Sequence, residues 1–310
     1  MSPPKRTSLD AWILAKHGLD VADRQAVHSY QLEKIRDLIA RARAGSRFYG
    51  QLYQGLDLPD SLEAFGSYPT TSAADLVERS SDLLSVHPGQ VARIVTLETS
   101  GTTGASKRVY FTQADLDLTY DFFYHGMQTL SGPGDRVLIL FPWAKPDSVG
   151  DLLGRALTDL GLHVFYAKVA EAGPTLSSGM DLVCGPASWV LATAEGNPGL
   201  KVRSVLTSSE PLEAAMRSRI MALWGAAVFD HYGMTETGLG GAVECQAHEG
   251  MHIRENDLYF ELIDGELLVT TLTREGMPFI RYRTGDRGVI TYEPCPCGSF
   301  IPRILWAERF

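Results

Sequence analysis

Long apolar runs, cysteine and an excess of positive charge are what this 310-residue sequence is short of. No segment approaches the roughly 18 uninterrupted apolar residues of a membrane-spanning helix. The longest candidate, 137–143, reads as a buried strand. The N-terminus is basic but no long apolar stretch follows it, which argues against a secretory signal. The expected location is therefore cytoplasmic, with no membrane partner. With 28 lysines and arginines against 37 aspartates and glutamates, the formal charge is −9. Such a chain has no general attraction for nucleic acid, so any polyanion must be held by a local site. Four cysteines (Cys184, Cys245, Cys295 and Cys297) are too few for a disulfide scaffold. There is no internal repeat and no low-complexity tract.

Apolar residues make up 45% of the chain, enough for a packed core. Residues 8–45 read as helical, because Leu32, Ile35, Leu38, Ile39 and Ala42 recur at helical spacing. Gly45-Ser46 ends that run. Short helical pieces broken by Pro59, Pro69 and Pro88 occupy 57–90. From residue 91, strand-like runs (93–98, 108–112, 136–141, 163–167, 181–184, 202–207, 226–230) alternate with helix-like runs (113–130, 147–160, 186–195, 212–224). This pattern predicts an α/β fold of layered sheets with helices on their faces. After residue 241 strands dominate (259–263, 266–271, 288–292), with Asp264-Gly265 as a hairpin turn, giving a small β-rich subdomain. Cys184 lies in an apolar strand and reads as a small core residue.

The sharpest local signal is Thr99-Ser100-Gly101-Thr102-Thr103-Gly104-Ala105-Ser106-Lys107, between two strand-like runs. Its glycines let the backbone approach a ligand, its hydroxyls and amides can bind anionic oxygens, and Lys107 adds a positive charge. Its spacing is not that of the nucleoside-triphosphatase loop. Taken alone, the segment also reads as an ordinary Ser/Thr/Gly hairpin.

At this loop the chain resembles the adenylate-forming superfamily of acyl-CoA synthetases and adenylation domains. Three later segments match that family in the same order. Leu206 to Leu212, with Ser209, Glu210 and Pro211, resembles the segment lining the adenine pocket. Asp230-His231-Tyr232-Gly233-Met234-Thr235-Glu236 resembles the Tyr-Gly-x-Thr-Glu motif. Tyr282-Arg283-Thr284-Gly285-Asp286 resembles the motif with the ribose-binding aspartate. The run 9–18, the run 30–49, Gly250 to Ile253, 266–286 and Cys295 to Gly298 are similar to the phenylacetate–CoA ligase-like branch. The resemblance implies the large N-terminal domain of that family: 1–90 a helical segment, 91–240 the nucleotide-binding core, 241–310 the β-rich part.

The roles it implies are chemically sensible. Tyr232 offers a face for adenine, Thr235 a hydrogen bond to the α-phosphate, and Glu236 an oxygen ligand for Mg²⁺. Asp286 can accept from both ribose hydroxyls. Thr99, Ser100, Gly101, Thr102, Thr103, Gly104 and Lys107 would hold phosphate, with Asp230, His231 and Gly233 beside the nucleotide. Each residue also has a plainer reading: Asp286 as a turn residue, Tyr232 as core, Glu236 as a solvated cap.

The implied reaction is ATP-dependent conversion of a carboxylic acid to its acyl-adenylate with release of pyrophosphate, followed by transfer to CoA or another thiol. An aryl acid is implied by the branch. Phe123, Tyr124 and Phe141 are candidates for lining its pocket, with ordinary core packing as the alternative. Family members carry a further mobile C-terminal domain with a catalytic lysine, whereas no lysine follows Lys201 here. That domain is expected to be cut off, supplied by a separate chain, or dispensed with, and a carrier or acceptor protein or a homodimer is compatible with each. Two other functions fit the same motifs: a nucleotide-binding regulatory module with reduced catalysis, and an adenylyltransferase acting on a hydroxyl.

Cys245, His252, Cys295 and Cys297 offer three thiolates and an imidazole, a set suited to a structural Zn²⁺. Free buried thiols or a Cys295/Cys297 redox pair are the alternatives.

Overall fold

A computed structural model of the chain describes residues 5–98 and 106–309, the side chain of Glu98 excepted. Its strands are β1 (Arg93–Glu98), β2 (Ser106–Phe111), β3 (Arg136–Ile139), β4 (His163–Tyr166), β5 (Leu182–Gly185), β6 (Ser204–Thr207), β7 (Ala227–Tyr232), β8 (Ala242–Glu244), β9 (Met251–Ile253), β10 (Leu258–Ile263), β11 (Glu266–Thr271), β12 (Tyr282–Thr291) and β13 (Arg303–Arg309). β1 and β2 form an antiparallel hairpin. The other strands form one hydrogen-bonded order, β10-β11-β12-β13-β9-β8-β7-β6-β5-β3-β4.

Half of that order is parallel and half antiparallel. β4, β3, β5, β6 and β7 run parallel and are connected by helices, among them Val149–Asp159, Ala187–Gly196 and Ala214–Trp224. β5 and β6 are buried at every position, as strands covered on both faces must be. Cys184 is fully buried in β5, the core position its apolar surroundings predict. β8 to β13 are antiparallel and no helix follows residue 241 among the described residues.

Two expectations need correction. The helical stretch at 8–45 is two helices, Leu9–His17 and Arg24–Gly45, because Gly18 takes φ 67° and caps the first. The strand expected at 288–292 begins at Tyr282, so Tyr282 to Asp286 lie within β12 and not in a turn before it. The long helix Gln113–Met127 starts at a capping box between Thr112 and Asp115. It then packs Phe122 and Phe123 into the main core.

Candidate active site

β7 joins the two halves of the sheet, pairing in parallel with β6 as far as Asp230 and antiparallel with β8 from His231 onward. Asp230, His231 and Tyr232 therefore sit at the seam, at the carboxyl end of the parallel strands, where α/β sheets bind ligands. Beside them the loop after β6 turns through Ser209 at φ 73°. Ser209, Glu210, Pro211, Asp230, His231, Tyr232, Gly233 and Asp286 line one cleft of about 410 Å³. Glu210 is fixed in its wall, accepting from the Ser188 amide at 3.0 Å and hydroxyl at 2.6 Å.

Asp286 reaches this cleft through a bulge. Glu266 faces Arg287 and Leu268 faces Arg283, so four steps along β12 answer two along β11. Gly285 takes φ 74° there, a conformation that glycine adopts without strain. Thr284 Oγ1 donates to the Leu267 carbonyl at 2.7 Å and accepts from the Asp286 amide at 3.0 Å. The Asp286 carboxylate accepts from the Tyr232 hydroxyl at 2.8 Å and from Arg309 Nη1 at 2.9 Å. Burial and that carboxylate push the Tyr232 phenol well up, so it remains a donor.

A second chamber of about 380 Å³ adjoins the first, and Ser209, Gly233, Met234 and Arg309 line both. It contains Lys107, Thr235 and Glu236. The Glu236 carboxylate is buried, accepts from the Tyr282 hydroxyl at 2.9 Å, and lies 3.6 Å from Lys107 Nζ. Arg274 braces this corner. It is buried over the rings of Phe111 and Phe279 and donates to the carbonyls of Glu236 at 3.1 Å and Tyr110 at 3.2 Å. The backbone of Glu236 is thereby tied to β2, the strand that carries Lys107.

Beyond Val149, Ser208 and Leu239, which also line the second chamber, lies a small apolar cavity of about 30 Å³. Phe122, Phe123, Phe141 and Leu206 form its walls. One polar ring faces it. His231 Nδ1 is 2.7 Å from Ser208 Oγ, and its Nε2 is buried with no hydrogen-bond partner among the described residues. Burial lowers this imidazole to about 4, so it is neutral at physiological pH. Asp230 is shifted the other way, to about 6, by burial and by the neighbouring Glu244. Glu244 is also buried, but hydrogen bonds from His248 and Arg217 hold it below the usual range.

The site thus gathers most of the residues that the sequence singles out. Thr99, Ser100, Gly101, Thr102, Thr103 and Gly104 lie outside the described residues. Tyr124 is not brought to the apolar cavity: it packs against the rings of Tyr120 and His125. Arg274, Tyr282, Ser208 and Arg309 were not singled out. The alternation of Tyr282, Thr284 and Asp286 would have put Tyr282 on the aspartate's side of the strand. Cys245, His252, Cys295 and Cys297 also converge, at a separate place, with their ligand atoms all within 4.8 Å of one another.

No family model matches the chain. Among curated proteins it is 27% identical to phenylacetate–coenzyme A ligase of Aromatoleum evansii, over 86% of this chain and 67% of that protein. It is also 27% identical to the protein of that name from Thermus thermophilus, over 90% and 69% respectively. Among solved structures, 2-hydroxyisobutyryl-CoA ligase in complex with 2-HIB-AMP and CoA, in the thioesterification state, superposes with a TM-score of 0.81. That match has 21% identity and covers 91% of this chain and 68% of the other. Its open conformation superposes with a TM-score of 0.80, at 20% identity over 91% and 74%. The resemblance to the adenylate-forming superfamily and its phenylacetate–CoA ligase-like branch is borne out, as is the α/β fold of its large domain.

Proposed function

We propose, from this resemblance, that the chain binds ATP and activates a small carboxylic acid as its acyl-adenylate, for transfer to CoA or another thiol. One observation carries the reading: three compartments are contiguous, and their chemistry runs in the order an adenylation needs. The polar cleft with Asp286 suits a nucleoside, the chamber with Lys107, Thr235 and Glu236 suits phosphate, and the apolar cavity suits an acyl group. An acid carboxylate at the junction near Ser208 would attack the α-phosphorus, and the bond to the bridging oxygen would break with pyrophosphate as leaving group. The work is positioning and neutralisation of charge.

In this reading Asp286 exchanges Arg309 and Tyr232 for the ribose hydroxyls, and Arg309 is freed toward phosphate. Lys107 likewise leaves Glu236 for a phosphate oxygen. Glu236 would then hold Mg²⁺, which supplies further neutralisation of the phosphates when bound. A cavity that accepts benzene measures about 150 Å³, so the space at Phe123 and Phe141 must widen before an aryl acid enters. His231 Nε2 gives the acid a hydrogen-bond partner in an otherwise apolar wall. The relatives are CoA ligases by name, and the solved neighbour is in complex with an adenylate and CoA, which supports CoA as acceptor. A mobile C-terminal domain or a carrier protein is the partner expected for the thiol step.

Hydroxylamine trapping with ATP, Mg²⁺ and a panel of short aliphatic and aryl acids tests the proposal. It predicts a hydroxamate and AMP from a subset of the acids. ATP binding without hydroxamate would favour a regulatory module, and a stable AMP adduct on a hydroxyl would favour an adenylyltransferase.

A further inference from the structure

We propose that Cys245, His252, Cys295 and Cys297 bind one zinc ion that locks the floor of the nucleotide cleft. The four come from three separate segments: the residue just after β8, the middle of β9, and the loop between β12 and β13. All are buried, and their ligand atoms lie within 4.8 Å of one another. Cys245 Sγ is 3.7 Å from Cys295 Sγ, and Cys297 Sγ is 3.6 Å from His252 Nε2. A tetrahedron with zinc–sulfur bonds of about 2.3 Å and zinc–nitrogen bonds of about 2.0 Å has edges of just this size. A disulfide needs its sulfurs at about 2.05 Å, so the geometry is that of a ligand shell and not of a bridge.

The surroundings are those of a ligand set. His252 Nδ1 lies 3.3 Å from the Ile301 carbonyl, which orients Nε2 toward the thiols. The Ala247 amide points at Cys245 Sγ from 3.4 Å, a donor that suits a thiolate. Four protein ligands leave no open position, which makes the site structural. Binding releases the thiol protons to solvent and changes no oxidation state.

The position gives the ion a second consequence. His252 pairs with Arg303 and Met251 with Ile304 across β9 and β13. Met251 lines the nucleotide cleft, and β13 ends at Arg309, the partner of Asp286. An ion on His252 and on the loop that leads into β13 fixes both strands. Its loss should loosen the nucleotide cleft without touching any nucleotide contact.

The test begins with metal analysis of the full chain, purified without chelator from zinc-supplemented cells. We expect one zinc per chain, released by p-hydroxymercuribenzoate with three thiols titrated per zinc. Stripping the metal should lower Tm by at least about 5 °C and weaken AMP binding about tenfold, and zinc should restore both. The Cys295→Ser/Cys297→Ser variant should purify with less than a fifth of an equivalent of zinc. Should that variant fail to fold, the mercurial release on the unaltered chain still decides. Metal-free protein as isolated, a disulfide among these cysteines, or an unchanged Tm after stripping would overturn the proposal. The effect on AMP binding rests on the proposed function, whereas the zinc count and the Tm shift do not, so a failure of either proposal is told apart from a failure of the other.

Discussion

The proposed nucleotide side and the proposed acyl side of the site are built on opposite plans. On the nucleotide side the two central carboxylates already have partners: Asp286 holds Tyr232 and Arg309, and Glu236 holds Tyr282 and lies beside Lys107. On the acyl side the walls are apolar, the space is about 30 Å³, and one imidazole nitrogen has no partner among the described residues. A bound nucleotide would therefore exchange existing polar contacts for its own, whereas an acyl group would have to make room. Affinity should be set on the first side and selectivity on the second.

Substitutions can break that contrast, and the largest effect should be at Glu236. Glu236→Gln should slow acid-dependent turnover about 10²–10³-fold and raise the Mg²⁺ needed for half-maximal rate, as measured by a magnesium titration. Asp286→Ala should weaken ATP binding about 10–100-fold by calorimetry, the scale of lost hydrogen bonds to a charged group. Unchanged affinity would remove the ribose assignment. Phe123→Ala should shift relative kcat/KM about tenfold toward bulkier acids, the scale of one or two methylenes in an apolar pocket. It should leave ATP affinity within about twofold of the unaltered chain.

The smallest effect concerns Asp230. Its carboxyl is raised in the folded chain to about 6, from 3.8. The folded state thus binds the proton more tightly, so this stabilisation is full below about pH 4 and is lost as pH rises through about 6. Asp230→Asn should remove about 1–2 kcal/mol of that slope between pH 4 and 6, after discounting for partial exposure. Denaturant melts across that range check it.

Much of this was legible in the sequence, and the reasons for the rest are specific. Strand–helix alternation and the ordered motifs point to the α/β core and to Asp230, Tyr232, Thr235, Glu236 and Asp286, because those signals are local. Arg274, Arg309 and Ser208 are not legible in that way. Each acquires its role from a partner distant in sequence, as Arg274 does from the carbonyls of Tyr110 and Glu236. The bulge that aims Asp286 depends on register with β11, which β12 alone does not encode. Tyr124 illustrates the converse: adjacent to Phe123 on one helix, it faces a different side, because neighbouring helical positions diverge by about 100°.

ATP–pyrophosphate exchange, with and without acid, tests the central claim most directly. Three contiguous compartments acting as one adenylation site predict exchange that requires both Mg²⁺ and a particular carboxylic acid, and that Glu236→Gln and Asp286→Ala both suppress. Tight ATP binding with no acid-dependent exchange across short aliphatic and aryl acids would contradict it.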